Sequence, residues 1–253
     1  MKYTRNMFLS LATLIPFFGF ADVGTRTNSS GKTTTSEIQE AAPSRFFIGP
    51  DLYYQEHSVG HYGLDFGYEY RRPDFVYGRF DLNTTWGNFD SDKFNFGAEG
   101  KLGYNFAPVK GLDLIPYMGF GYYQLNGKNG SKTSWQYPLL GFWLNYAFTN
   151  RIEFGINLKG MYTVNAKDSY NSFFNSRYTV SLKNHFQYTI ELPTTFYLNE
   201  KKNWDLRLVP YYTQKNLGAR TGTWHIFNSY YTVNIPVRHL YQVGGRIEVG
   251  YHF

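Results

Sequence analysis

The sequence predicts an all-β fold: a closed, antiparallel, up-and-down transmembrane β-barrel of about ten strands, with eight or twelve as the neighbouring solutions. Three observations carry this. From Phe46 to Phe253 the side chains alternate between apolar and polar with a period of two, the strand signature. The alternating runs are mostly 11 to 16 residues long, beyond the five or six of an ordinary globular strand and enough for a tilted bilayer span. The apolar face of each run begins and ends on aromatic residues, as expected at two lipid–water boundaries.

In chain order the runs are 45–57, 60–71, 75–87, 93–106, 112–125, 135–148, 151–165, 177–198, 203–215 and 238–253. In the third, Val76, Gly78, Phe80, Leu82, Thr84 and Trp86 oppose Tyr77, Arg79, Asp81, Asn83 and Thr85. In the eighth, Val180, Leu182, Phe186, Tyr188, Ile190 and Leu192 are expected on the apolar face, opposite Lys183, His185, Gln187 and Glu191. Short polar turns at 72–74, 108–111, 149–150 and 199–202 alternate with longer connections at 87–92, 126–133, 166–176 and 215–237, an asymmetry that gives the barrel a short-turn end and a long-loop end. The first hairpin, near Ser58, belongs to the long-loop end although it is tight.

A sandwich core has no reason to place aromatics at both ends of its apolar faces, so the apolar face points to lipid and the polar face lines the lumen. The lumen charges are then Arg71, Arg79, Asp81, Glu99, Lys101, Glu153, Lys159, Lys183, Glu191, Asp205, Arg207, Arg246 and Glu248, joined by Asp51, Asp65 and Glu69. Acids and bases nearly balance, which favours paired charges filling a narrow bore over a ring of one sign. A ten-stranded bore is only slightly wider than the side-chain-filled eight-stranded one. The expectation is a largely plugged lumen.

The remaining segments set the compartment. Residues 1–21 combine a basic start, an apolar run interrupted by Pro16 and small residues before Ala21, the pattern of a removed signal peptide. Residues 22–44 are Ser/Thr-rich with little to bury and read as a disordered leader, leaving 45–253 as the barrel. Aromatics make up 21% of the chain, too much for the surface of a soluble domain. Loss of Lys2 and Arg5 with the signal would lower the net charge from +6 to about +4, and no Lys/Arg cluster suggests a nucleic-acid partner. The absence of Cys excludes disulfides, thiolate metal sites and a Cys nucleophile.

Taken together, the signal peptide, the alternating strands, the loop asymmetry and the terminal "RIEVGYHF" resemble the small Gram-negative outer-membrane β-barrel proteins, a group with porin-like and adhesin-like members, over about 46–253. The resemblance is architectural. It implies residence in the outer membrane after export through the periplasm, contact with membrane lipid and lipopolysaccharide, and insertion by the barrel-assembly machinery. By the same resemblance Ile247, Val249, Tyr251 and Phe253 are the assembly signal and the lipid face of the last strand, which would pair with the first and so need no cover.

The expected role is structural or a surface interaction through the outer loops, with a narrow porin for small solutes as the alternative. Barrel enzymes acting on lipid A or peptides form the second alternative. They need a His with a carboxylate or Ser at the outer rim, and His57 and His61 at the first hairpin could gather there with Asp90 and Asp92 of the second outer loop. No omptin-like carboxylate pairing or deacylase-like His-x-Ser stands in the chain. His185 is expected to be structural and His252 merely wet at the inner rim. No catalytic residue, metal site or cofactor is assigned, because His57 and His61 of "HSVGH" flank the first hairpin and do not share one face. The outer segment 215–237 carries Arg220, Trp224, His225, Phe227, Tyr230 and Tyr231, a patch for a surface ligand or, more plainly, a hairpin prolonging the last two strands.

Overall fold

The computed structural model describes residues 41–55, 60–87, 94–126, 132–171, 177–218, 220–226, 229–235 and 238–253. The expected signal peptide and most of the leader lie outside the described residues.

Fifteen strands make up ten staves of a closed barrel and one separate hairpin. Staves one to six are single strands: β1 (Ser44–Gln55), β2 (His61–Tyr70), β3 (Phe75–Gly87), β4 (Phe94–Val109), β5 (Leu112–Asn126) and β6 (Lys132–Ala147). The seventh is β7 (Ile152–Tyr162) continued by β8 (Val164–Asn171), and the eighth is β9 (Arg177–Ser181), β10 (Phe186–Glu191) and β11 (Thr194–Tyr197). The ninth is β12 (Trp204–Leu217), and β13 (Arg220–Ile226) with β14 (Ser229–Ile235) forms the hairpin. The tenth stave, β15 (Arg238–His252), closes the barrel on β1 through Arg45↔His252, Phe46↔Tyr251 and Ile48↔Val249. Of eight, ten or twelve staves the answer is ten.

The faces have the expected sense. Phe46, Ile48, Leu52, Leu102, Met118 and Leu140 are exposed on the outside, whereas Asp51, Glu69, Arg79, Glu99 and Glu248 are buried inside. An apolar exterior over a charged interior is the inverse of a soluble core and suits hydrocarbon outside. Aromatic pairs mark the two edges of the apolar band: Tyr62–Trp86 (6.0 Å) and Trp86–Phe94 (5.6 Å) at the loop end, Trp204–Tyr251 (4.9 Å) and Phe46–Phe253 (5.3 Å) at the turn end. On β12 the outward positions run Trp204, Leu206, Leu208, Pro210 and Tyr212, then turn polar at Gln214 and Asn216. That is about the nine to eleven residues a tilted strand needs to cross.

Short turns are held by their own polar residues. Asp74 takes a left-handed φ of 50°, and its carboxylate accepts a hydrogen bond from the Ala107 amide (3.1 Å). Thr149 Oγ1 accepts from the amides of Arg151 and Ile152, both at 3.1 Å. Asn199 Oδ1 accepts from the Asn203 amide at 2.9 Å. The turn at 108–111 is tighter than the sequence suggested, because β4 runs on to Val109 and Gly111 supplies the positive φ of 83°.

Two staves depart from the expected pattern. Asn165 adopts φ 52° and donates to Gln136 Oε1 (3.0 Å), and the register of β6 with β8 shifts at Ser134/Gln136. Below this bulge Met161 and Thr163 face inward; above it Ala166 and Asp168 do. Opposite, residues 182–185 leave the ladder. A one-residue slip moves every later side chain to the other face. Val180 and Leu182, expected toward lipid, are therefore buried, while Lys183, expected in the lumen, is exposed and His185 lies outside any strand. Within the segment 166–176, read as a loop, the described residues 166–171 are strand: β8 pairs with β9 from Lys167↔Ser181 to Asn171↔Arg177.

Candidate functional site: the charged lumen

Alternation along ten staves aims every second side chain at one axis, and charges far apart in sequence meet there. Near the turn end, Arg45 grips Asp205 with Nε and Nη2, both at 2.7 Å, and donates from Nη1 to Glu248 at 2.9 Å. His252 completes this group: Nε2 lies 2.7 Å from Asp205 Oδ2 and Nδ1 lies 3.0 Å from the carbonyl of Ala42. It is buried, not wet as the sequence suggested. Beside it Glu153 accepts from Arg71 (2.8 Å), Asn145 (2.8 Å) and Tyr197 (2.7 Å).

The central layer is built around Glu248, which is fully buried. Four guanidinium groups face its carboxylate: Arg45 at 2.9 Å, Arg79 at 3.2 Å, Arg207 at 3.7 Å and Arg246 at 3.9 Å. Glu69 ties Arg79 (2.8 Å) to Arg207 (2.9 Å), and Asp81 ties Arg79 (2.7 Å) to Lys101 (3.0 Å). Glu99 then joins Lys101 to Lys159, both at 2.8 Å, and Arg246 reaches Glu191 (2.9 Å) and Asp65 (3.3 Å). Rings cover the guanidinium planes, with Arg79 4.5 Å from the Phe47 ring and Arg207 5.3 Å from that of Trp143. Between Arg79, Trp143 and Glu248 a gap of about 10 Å³ remains, about the minimum for one water.

Open space lies above and below this layer. On the turn side a vestibule of about 240 Å³ is lined by Arg71, Asn105, Asp113 and Lys202. On the loop side a cavity of about 110 Å³ lies among Tyr53, Tyr123, Tyr137, Tyr211, Thr213 and Lys215. The tyrosines are placed by glycines: a Cβ on Gly121 would stand 2.3 Å from Tyr137 Cζ, and one on Gly97 2.9 Å from Tyr123 Cδ2. Tyr211 donates to Asp51 at 2.8 Å, and Asn83 donates to the same carboxylate at 3.0 Å. Because a Cβ at Gly97 would already press on the Tyr123 ring, Gly97→Val should displace it. Loss of the near-ultraviolet tyrosine and tryptophan dichroism with the far-ultraviolet strand signal intact is the expected reading.

Fifteen of the sixteen expected lumen charges lie in or beside these layers: Asp51, Asp65, Glu69, Arg71, Arg79, Asp81, Glu99, Lys101, Glu153, Lys159, Glu191, Asp205, Arg207, Arg246 and Glu248. Lys183 does not, for the slip described above. Arg45 and Lys215 went unread, although each shares the parity of a recognised lumen residue, Asp51 on β1 and Asp205 on β12. Ile247, Val249, Tyr251 and Phe253 are exposed on the outside of the closing strand. Arg220, Trp224, His225, Tyr230 and Tyr231 fall on β13 and β14, with Trp224↔Tyr231 and His225↔Tyr230 in register. Their side chains, and Phe227 entirely, lie outside the described residues.

His61 stacks on Tyr53 at 4.7 Å, while His57, Asp90 and Asp92 lie outside the described residues. The buried His252–Asp205 pair is at the opposite end from the outer loops. Among the described residues no three His, Cys, Asp or Glu side chains are placed to hold a metal ion.

No protein-family model and no curated protein sequence matches the chain. Solved structures do. The outer membrane protease OmpT from Escherichia coli aligns with a TM-score of 0.50 at 9% identity, over 86% of this chain and 99% of that one. Neisserial surface protein A aligns with a TM-score of 0.39 at 10% identity, over 85% and 100%. The translocator domain of the autotransporter NalP from Neisseria meningitidis gives 0.42 at 11%, over 83% and 89%. The likeness to OmpT concerns the fold, and with the closed ten-stave topology and apolar exterior it supports one statement: this chain has the fold of the Gram-negative outer-membrane β-barrels.

Proposed function

We propose that the protein is a non-conducting barrel of the outer membrane whose lumen is a structural plug and whose loop end carries a structural or surface-interaction role of the adhesin type. The observation that carries this is the central layer, where Glu248 draws four arginines from β1, β3, β12 and β15 across the bore. Moving any of these groups aside to open a path would strand a buried charge at a cost of several kcal/mol. Single-channel recording of the refolded protein in planar bilayers is the test. The expected trace is flat; reproducible steps of one size would overturn the plug and favour the narrow porin.

Export by the signal peptide and insertion by the assembly machinery belong to the same reading. Phe253 stacks on Phe46 at 5.3 Å and its amide donates to the Ser44 carbonyl at 3.0 Å, so it also clasps the seam. Deleting Phe253 should reduce the amount of heat-modifiable, membrane-inserted protein several-fold in cells. Undiminished insertion would count against the assigned role. The surface role rests on the β13–β14 hairpin with its aromatic and basic sequence. Removing 220–235 should leave the barrel folded and abolish adhesion of expressing cells to host surfaces; unchanged adhesion would count against it.

A further inference from the structure

Lys215 differs from the cations of the central layers of the bore. Arg45, Arg71, Arg79, Lys101, Lys159, Arg207 and Arg246 each face a carboxylate within 4.0 Å. The ammonium of Lys215 instead stands 3.9 Å above the centre of the Tyr123 ring, and no described carboxylate comes within that distance. Its backbone pairs with Leu240, beyond the point where the outward face of β12 turns polar, so it lies above the membrane span. It lines the 110 Å³ mouth cavity together with Thr213, Gln242 and the rings of Tyr53 and Tyr211, and the deeper wall adds the carboxylates of Asp51, Asp65, Asp81, Glu99 and Glu191 with the cations Lys101, Lys159 and Arg246. Thr213 and Thr189 share a hydrogen bond of 3.0 Å, and Gln242 donates to Gln55 at 2.8 Å, so the wall offers hydroxyl and amide groups beside the ring faces.

We infer that the mouth cavity is a binding site for a small organic carboxylate, with the acid on Lys215 and the body of the ligand against the tyrosine rings. An unpaired ammonium at the mouth of a polar cavity is what an incoming anion lacks in water: a fixed, already oriented donor. The ring beneath the lysine holds it without neutralising it. Burial and the neighbouring Lys159 push the Lys215 amine down to about 7, against the opposing pull of Asp51 and Glu99. An anion bound there would raise it again. The carboxylates of the same wall are already engaged: Asp51 by Tyr211 and Asn83, Asp65 and Glu191 by Arg246, Asp81 by Lys101 and Glu99 by Lys159, which leaves Lys215 as the cation turned to the ligand. Lysine with ring faces suits a carboxylate on an apolar or ring-shaped body; bidentate recognition of phosphate is more often the task of arginine.

The inference is independent of whether the lumen conducts, so conductance and binding can fail separately. The probes are benzoate, its uncharged counterpart benzamide, and inorganic phosphate, titrated by calorimetry into the refolded full barrel in detergent micelles. Benzoate should bind at least tenfold more tightly than benzamide or phosphate. Lys215→Met should abolish that preference, and Lys215→Arg should retain part of it. Heat-modifiable gel mobility verifies that each variant is folded. As a readout that does not depend on replacing the lysine, the NMR shift of reductively ¹³C-methylated Lys215 should titrate upward when benzoate is added. Equal affinity for benzoate and benzamide, tighter binding of phosphate, or an unchanged preference in folded Lys215→Met would each overturn the site.

Discussion

Glu248→Gln should lower the free energy of unfolding by about 3–5 kcal/mol, the largest effect expected of any single lumen charge. The substitution keeps the shape and removes the charge. Arg45, Arg79, Arg207 and Arg246 would then converge, at 2.9 to 3.9 Å, on a neutral amide in a site with no solvent exposure. Urea titration in lipid vesicles, followed by tryptophan fluorescence, reads the change. A loss below about 1 kcal/mol would place Glu248 among ordinary surface pairs and remove the basis for a rigid plug. The double variant Glu248→Gln with Arg79→Met tests the cause. If stranded positive charge is the cost, removing one arginine should restore part of the stability, and the cycle should show coupling. Strict additivity would mean that the carboxylate acts through something other than its arginines.

Gly49→Ala should be comparably damaging for a different reason. A Cβ at Gly49 would stand 1.6 Å from the backbone oxygen of Ile247 and 2.6 Å from its carbonyl carbon. These atoms belong to the closing strand and cannot rotate away as a side chain can. The seam, whose register passes through Ile48↔Val249 and Asp51↔Arg246, must open locally. The expected cost is about 3 kcal/mol, the upper end for overpacking. It should appear as a fall in the fraction of protein that reaches the heat-modifiable folded form. Gly100→Ala is the matched control, because a Cβ there meets nothing within 4 Å on the lipid face. Similar behaviour of the two variants would show that the seam tolerates more than its geometry allows.

What could be read in advance differs between the two faces of a strand. Outward positions need only be apolar, with aromatics at the boundaries, and these are statements about single residues that alternation reports directly. About ten staves and their sense follow from it, whereas the first-to-last closure is what the resemblance implies. The bulge at Asn165 does not, because φ 52° in a non-glycine residue depends on the Gln136 amide across the strand gap. That one slip exposed Lys183 and buried Val180 and Leu182.

The lumen shows the same division. Period two named fifteen of the charges that enter the bore, since parity alone decides which side chains point inward. Which acid meets which base was not legible: Arg45 finds Asp205 across 160 residues, and Glu248 finds Arg45 across 203. Such pairings are fixed by stave order, tilt and register, which exist only once the cylinder closes. The sequence by itself therefore determined the barrel, its orientation of faces and its store of balanced charge. Only the tertiary structure decided that the charge becomes a plug around Glu248, that His252 is a buried partner of Asp205, and that Lys215 is left at the mouth on a tyrosine ring. A side chain's direction is local, whereas its partner is a property of the closed sheet.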